Sequence, residues 1–222
     1  MKKTIFLLFA IISFSHSYSQ QTTDLDALLR TLGKQDQEVR LNLNRVVQQG
    51  IADSILHYAE VMATTDQTNQ LQVKQIIKNG VPTNLSAEAY KAIFLIVDHA
   101  DVKYQKRYFK PLNKLSKQGL IKPYDIATLR DRILMHSNKK QIFGTQTIAK
   151  PIVITDNSSS PQLTSYVWAV KNPAKLEARR AEVGLSSIQE QIKAHASHGY
   201  QLIYDPSLSK RDIRSLTQSP NK

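Results

Sequence analysis

Between residues 25 and 47 the apolar residues Leu25, Leu28, Leu29, Leu32, Val39, Leu43, Val46 and Val47 recur in steps of three and four. Only an α-helix with one buried face satisfies that spacing. The pattern predicts a helix from Asp24 to Val47, a second from about Ile51 to Met62, and a third from Thr65 or Asp66 to "NGVPT", where Gly80 and Pro82 both break helices. A fourth is expected after Ser86, a hydroxyl residue placed to cap the run through Ala89, Ile93, Phe94, Ile96 and Val97. Val102 to Gln118 reads as helical with a break at Pro111, and Tyr124 to His136 as another helix.

The period then changes. "QIFGTQTIAKPIVIT" and "SYVWAV" are rich in β-branched and aromatic residues and flank the Ser-rich "DNSSSPQ", which predicts a small β-hairpin near residues 141 to 170. Asn172 and Pro173 start a further helix carrying Arg179 and Arg180 and ending at Gly184, and Ser187 with Glu190 forms a capping box for a last one. The fold class is therefore mainly α, a helical bundle with a small hairpin. The expected organisation is one helical domain over residues 20–198 with the hairpin inserted, then a loosely attached polar tail over 199–222.

The first nineteen residues, MKKTIFLLFAIISFSHSYS, place two lysines before a ten-residue apolar run, Ile5 to Phe14, with small residues at Ser17 and Ser19. They read as a signal peptide cut after Ser19, because the run is too short to anchor in a bilayer, and the chain is expected to be exported, periplasmic or secreted. No later stretch is long and apolar enough to span a membrane. With no cysteine, disulfides, thiolate metal sites and a cysteine nucleophile are all excluded. The net charge of +12 falls by two when Lys2 and Lys3 leave, so the chain stays basic. For an exported protein this favours contact with an anionic envelope polymer over nucleic acid.

Several polar residues lie on the apolar stripes. Asp36 is four residues after Leu32 and three before Val39, with Arg40 one turn further on. Asp66 and Asn69 extend the line of Val73, Ile76 and Ile77; His99 follows Ala92, Leu95 and Ile96; Asp131 lies with Ala127, Leu134 and Met135, beside Arg132. Unpaired carboxylates in apolar surroundings cost several kcal/mol, so these groups are expected to find one another. Asp98 and Asp101, read as standing at a helix C-terminus, require a cation there, with Arg40, Arg132, Arg179 and Arg180 available. Either a polar pocket between helices or a structural ion-pair network fixing helix register accounts for the pattern.

These segments, "DQEVR", "DQTN", "NGVPT", "DHAD", "LRDR", "QIFGTQ" and the Arg-Arg-x-x-x-Gly-Leu of Arg179 to Leu185, resemble a bacterial family known only as domain of unknown function family 6624. The resemblance covers roughly residues 25 to 192 and implies no reaction. The family pattern often has tryptophan where this chain has Val81, glutamine where it has Asp98, and tyrosine where it has Phe143.

There is no phosphate-binding Gly-rich loop, no G-x-S-x-G elbow and no H-E-x-x-H. His57 and Glu60 lie one turn apart, but the residue where a second histidine would complete H-x-x-E-H is Val61. The spacing of His99 with the aspartates demands no metal, and no cofactor is identified. The resulting expectation is a site that binds a small polar molecule or peptide, with or without hydrolysing it. Asp36, Asp66, His99, Asp101 and Asp131 would be the acid, base or proton-carrying groups, and Arg40, Asn69, Arg132, Gln141, Thr145 and Gln146 the binding groups. The alternative is a non-catalytic envelope-binding module using Lys103, Arg107, Lys110, Lys114 and Lys117, which share one side of a helix.

Overall fold

A computed structural model describes the backbone of residues 5–150 and 163–218, with side chains described from Asp24 onward. The side chains of the leader and of its cut site, and the Ser-rich loop of the hairpin, lie outside the described residues. The first helix, α1 (Ile5–Gln49), turns at Gly50 (φ 70°) into α2 (Ala52–Ile77). Then follow α3 (Ala87–Asp98), α4 (Val102–Lys117) and α5 (Pro123–His136). The remainder is mixed: β1 (Thr147–Ala149), β2 (Leu163–Val167), a 3-10 turn (Pro173–Lys175), α6 (Leu176–Glu182), α7 (Ile188–Ser197), β3 (Tyr200–Ile203) and α8 (Lys210–Leu216). Among the described residues no helix is long and apolar enough to cross a membrane.

The bundle core joins the stripes read from the sequence: Leu29 and Leu32 from α1, Val73 and Ile77 from α2, Ile93, Ile96 and Val97 from α3, Leu112 from α4 and Leu129 from α5. Burying each such side chain stabilises the fold by about 1.5–3 kcal/mol relative to exposure. At the α1–α3 crossing, a Cβ on Gly33 would stand 2.7 Å from the Ala92 Cβ. Glycine is what allows the two helices to approach so closely.

Several helix boundaries differ from the sequence reading, the first being that α1 begins at Ile5 and not at Asp24. The expected second and third helices are one, because Thr65 and Asp66 do not cap a new start; Asp66 instead lies inside α2, its carboxylate bound by Arg40. Nor does Pro111 break α4. It lies exposed at the edge of the face on which Gln105, Tyr108, Leu112 and Leu115 stay buried. An interior proline costs a helix about 3 kcal/mol, and burial of that face offsets it. The Ser86 hydroxyl caps α3 by accepting from Ala89 N–H, and Ser187 with Glu190 forms the reciprocal box on α7.

The hairpin is present as β1 antiparallel to β2, with Thr147 opposite Val167. A third strand, β3, lies parallel to β2 with Leu163 opposite Tyr200. Residues 199–222, expected as a loose tail, thus contribute to the fold wherever they are described. Leu202 is buried with Val167, Leu176 and Ile188, and α8 buries Ile213 against Trp168. The Trp168 indole N–H donates to Lys139 O at 2.8 Å, fixing this second core to the end of the bundle.

Candidate functional site

Where α1, α2 and the C-terminus of α3 meet, the side chains of Asp36, Arg40, Asp66 and His99 form one bonded cluster. Asp36 is its floor, 1% exposed, and the rim is accessible, with side-chain exposures of 20% for Arg40, 18% for Asp66 and 17% for His99. His99 Nδ1 lies 3.0 Å from Asp36 Oδ1. Gln37 Nε2 donates to Asp36 Oδ2 at 2.8 Å. Arg40 Nη1 donates to the Asp36 carbonyl at 2.8 Å and lies 3.1 Å from Oδ1, while its Nη2 is 2.9 Å from both Asp66 oxygens. Asn69 Nδ2 donates to Leu32 O at 3.3 Å, tying α2 to α1 one turn away.

The electrostatics follow from these contacts. Burial pushes the Asp36 carboxyl up, but the hydrogen bond and charge of His99, the charge of Arg40 and the Gln37 amide outweigh it and hold Asp36 below the usual carboxylate range. An ionised carboxylate only accepts, so His99 Nδ1 is the donor of this bond. That leaves Nε2, on the accessible side of a buried carboxylate–imidazole pair, to meet a ligand. Arg40 bridges the two aspartates, occupying with its guanidinium the position between carboxylates that a cation would need. Among the described residues no group of three or more His, Asp or Glu is arranged to hold a metal.

A groove of about 430 Å³ between α1 and α2 is lined by Asn69, by the Thr64, Thr65 and Thr68 hydroxyl residues, and by Gln35, Glu38 and Asn42. From α4, the Tyr104 hydroxyl donates to Gln70 O at 3.2 Å, which fixes the start of that helix to α2 beside Asn69.

The other expected site residues do not join this cluster. Asp101 is exposed and is the N-cap of α4, its Oδ1 accepting from Lys103 N–H at 2.7 Å and Tyr104 N–H at 3.0 Å. It stands at a helix N-terminus, where the dipole favours a negative charge, and not at a C-terminus. Asp131 is fully buried, and its two oxygens accept from the backbone N–H groups of Ile142, Phe143 and Thr145 and from the Thr145 hydroxyl. Burial pushes its carboxyl up, and those hydrogen bonds pull it back only in part. No oxygen is left over for a ligand.

Gln141 and Gln146 belong to the same loop structure. Gln141 Nε2 donates to Gln146 O and Trp168 O, its Oε1 accepts from Gln146 N–H, and Gln146 Nε2 reaches Thr128 O and the Thr145 hydroxyl. Among the described residues Arg179 and Arg180 form no ion pair with an acid. They donate to loop carbonyls, Arg179 to Ile142, Lys171 and Asn172, and Arg180 to Phe143, Gly144 and Ser186.

Arg132 pairs elsewhere, with its Nε 2.9 Å from Asp98 Oδ2 in a contact not aligned as a hydrogen bond. The sequence reading missed Asp125, a buried carboxylate 2.6 Å from Lys91 Nζ. Its signal was weak, since an acid in the first turn of a helix is ordinary. Burial, with the nearby Asp98 charge, raises the Asp125 carboxyl against the opposing pull of Lys91.

A family model described as a family of unknown function, DUF6624, matches residues 23–202. The chain belongs to DUF6624. All the residues of both the cluster and the loop structure fall within that span. No curated protein and no solved structure matches this DUF6624 chain.

Proposed function

We propose that the Asp36–His99 cluster of this DUF6624 protein binds a small polar molecule or peptide and hydrolyses it, with His99 Nε2 as general base. The observation that carries this reading is the partly exposed imidazole held by a buried, ionised carboxylate at 3.0 Å. Such a pair fixes the ring's orientation and stabilises the positive charge it acquires on taking a proton from water. With His99 neutral, two aspartates against one arginine leave the cluster as a whole with an excess negative charge, which suits a ligand presenting an amine, an amide N–H or hydroxyls. Arg40, Asp66 and Asn69 would position it, the last from the groove. The leader expected over residues 1–19 places the activity outside the cytoplasm.

Hydrolysis of a panel of dipeptides and small esters tests this directly. Turnover is expected to fall by about 10²–10⁴ in His99→Ala, with the fold retained. Turnover unchanged in His99→Ala and in Asp36→Asn defeats the proposal.

A second reading, a non-catalytic module that docks on an anionic envelope polymer, is favoured by α4. The exposed residues Lys103, Lys106, Arg107, Lys110, Lys114 and Lys117 all lie on this helix, which has no acid between Val102 and Lys117, and none of the six is in an ion pair among the described residues. That reading predicts pull-down by an acidic polysaccharide that is lost at high salt and indifferent to His99→Ala.

A further inference from the structure

On the other side of the α1–α3 crossing lies a cavity of about 520 Å³ that takes no part in the proposed hydrolytic site. Its size is that of a small-molecule site, for which roughly 300–1,000 Å³ is usual. Three segments enclose it: α1 through Arg30, Gly33 and Lys34, the N-terminal half of α3, and the connection from α4 into α5. Its floor is apolar, built from Ala92, Leu95, Leu120 and Ile121, and offers a polar ligand little to bond.

The rim is cationic. Arg30, Lys34, Lys91 and Lys122 stand there against Glu88 and Asp125. Two of the cations are committed: Arg30 Nε to Asp26 at 2.9 Å and Lys91 Nζ to Asp125 at 2.6 Å, with Lys91 also 4.6 Å from the Phe94 ring centre. Lys34 and Lys122, one from each wall, are exposed and have no acid within pairing distance among the described residues. An apolar floor with two uncommitted ammonium groups at its edge has the chemistry to hold a molecule that is oily along its length and anionic at one end.

We propose that this cavity binds an amphipathic anion, a single hydrocarbon chain ending in a carboxylate or phosphate, with the chain on the Ala92–Leu95–Leu120–Ile121 floor and the acidic head at Lys34 and Lys122. Glu88, the rim acid with no cation partner among the described residues, opposes the head group and limits affinity.

Titration calorimetry of the full chain with decanoate and with decyl phosphate, against decanol as the uncharged control, tests the assignment. Both anions are expected to bind saturably at one site and more tightly than decanol. Reversing the two free charges together, Lys34→Glu with Lys122→Glu, weakens the anions by about tenfold or more, equivalent to at least about 1.4 kcal/mol, and leaves decanol unchanged. Glu88→Gln strengthens anion binding. Ala87→Trp, at an exposed rim position, fills the opening and abolishes binding of all three. Absence of saturable anion binding overturns the proposal, as does a charge-reversed variant that binds decanoate like the parent. Capture by phosphatidylglycerol vesicles without binding of the monomeric anions overturns it too, since the surface would then read a membrane and not a single chain.

Discussion

Asp36 and Asp131 are both buried aspartates on apolar helix stripes, at 1% and 0% exposure, yet the structure surrounds them with opposite kinds of partner. Asp36 is met by side chains, His99, Gln37 and Arg40, all three of which reach solvent. Asp131 is met by three backbone N–H groups and one hydroxyl of a single loop. Side-chain partners can exchange for a ligand and can move a proton. Backbone donors spent on fixing the Gln141–Gln146 loop cannot, because releasing them leaves buried amides unsatisfied. The contrast separates a candidate site from a structural anchor.

The sharpest break of that contrast is Asp131→Asn. The amide would turn an N–H group toward donors that now meet Oδ2, and the loop between α5 and β1 would lose its anchor. Removing one side of a buried charged network costs about 3–5 kcal/mol, so thermal or urea denaturation should reveal a large loss. A loss near zero would mean the loop is held by Arg179 and Arg180 alone.

Asp36→Asn should cost less, about 1–3 kcal/mol, because Arg40 retains Asp66 and the partly exposed His99 can turn to water. It should nevertheless abolish turnover, where any is found, by freeing the imidazole to rotate. If instead Asp36→Asn destabilises as much as Asp131→Asn while binding of the ligand persists, the cluster is a register-fixing network and the contrast fails.

Acid titration separates the two by sign. The folded-state Asp36 carboxyl lies below its ordinary value of 3.8, so its stabilising contribution is complete above that pH and is lost as pH falls through the folded value. The stability gap between the parent and Asp36→Asn should stay flat from about pH 7 to pH 5 and close below about pH 4. Asp131 is raised, so its ionised form carries a cost above its folded pKa that is relieved on acidification towards 3.8. A parent–Asp36→Asn gap that widens in acid would contradict the assigned direction.

Much of the bundle could be read in the sequence because burying one face of a helix imposes its period on every apolar position, as Leu25 to Val47 do. The placement of Asp36, Asp66, Asn69 and His99 on inward faces followed from the same arithmetic. Helical spacing gives a face, however, and not the neighbour across from it. It could not tell that Asp36 meets His99 while Asp131 meets the amides of residues 142–145, since backbone donors leave no trace in residue type. "DHAD" misled for a related reason: α3 ends at Asp98, so the four letters straddle two helices. β3 and α8 were missed because elements of four and seven residues carry too few positions to establish a period, and neither has the β-branched run that marked β1 and β2 or the Asn-Pro start and Gly184 stop that marked α6.

Asp101 supplies the smallest and most selective test, because it was grouped with Asp36 and Asp131 by type yet lies exposed. As N-cap of α4, Asp101→Ala should cost about 1 kcal/mol, within the usual range of about 0.5–2 for such caps, measurable as a small drop in denaturation midpoint. Asp101→Asn should be milder, since the amide oxygen can still accept from Lys103 and Tyr104 N–H and only the charge–dipole attraction, about 0.3–1 kcal/mol, is lost. Neither substitution should change turnover or binding at His99. If Asp101→Asn cuts turnover while leaving stability intact, an exposed cap at the neighbouring helix start shares in the chemistry, and partner type alone no longer decides which of these aspartates acts.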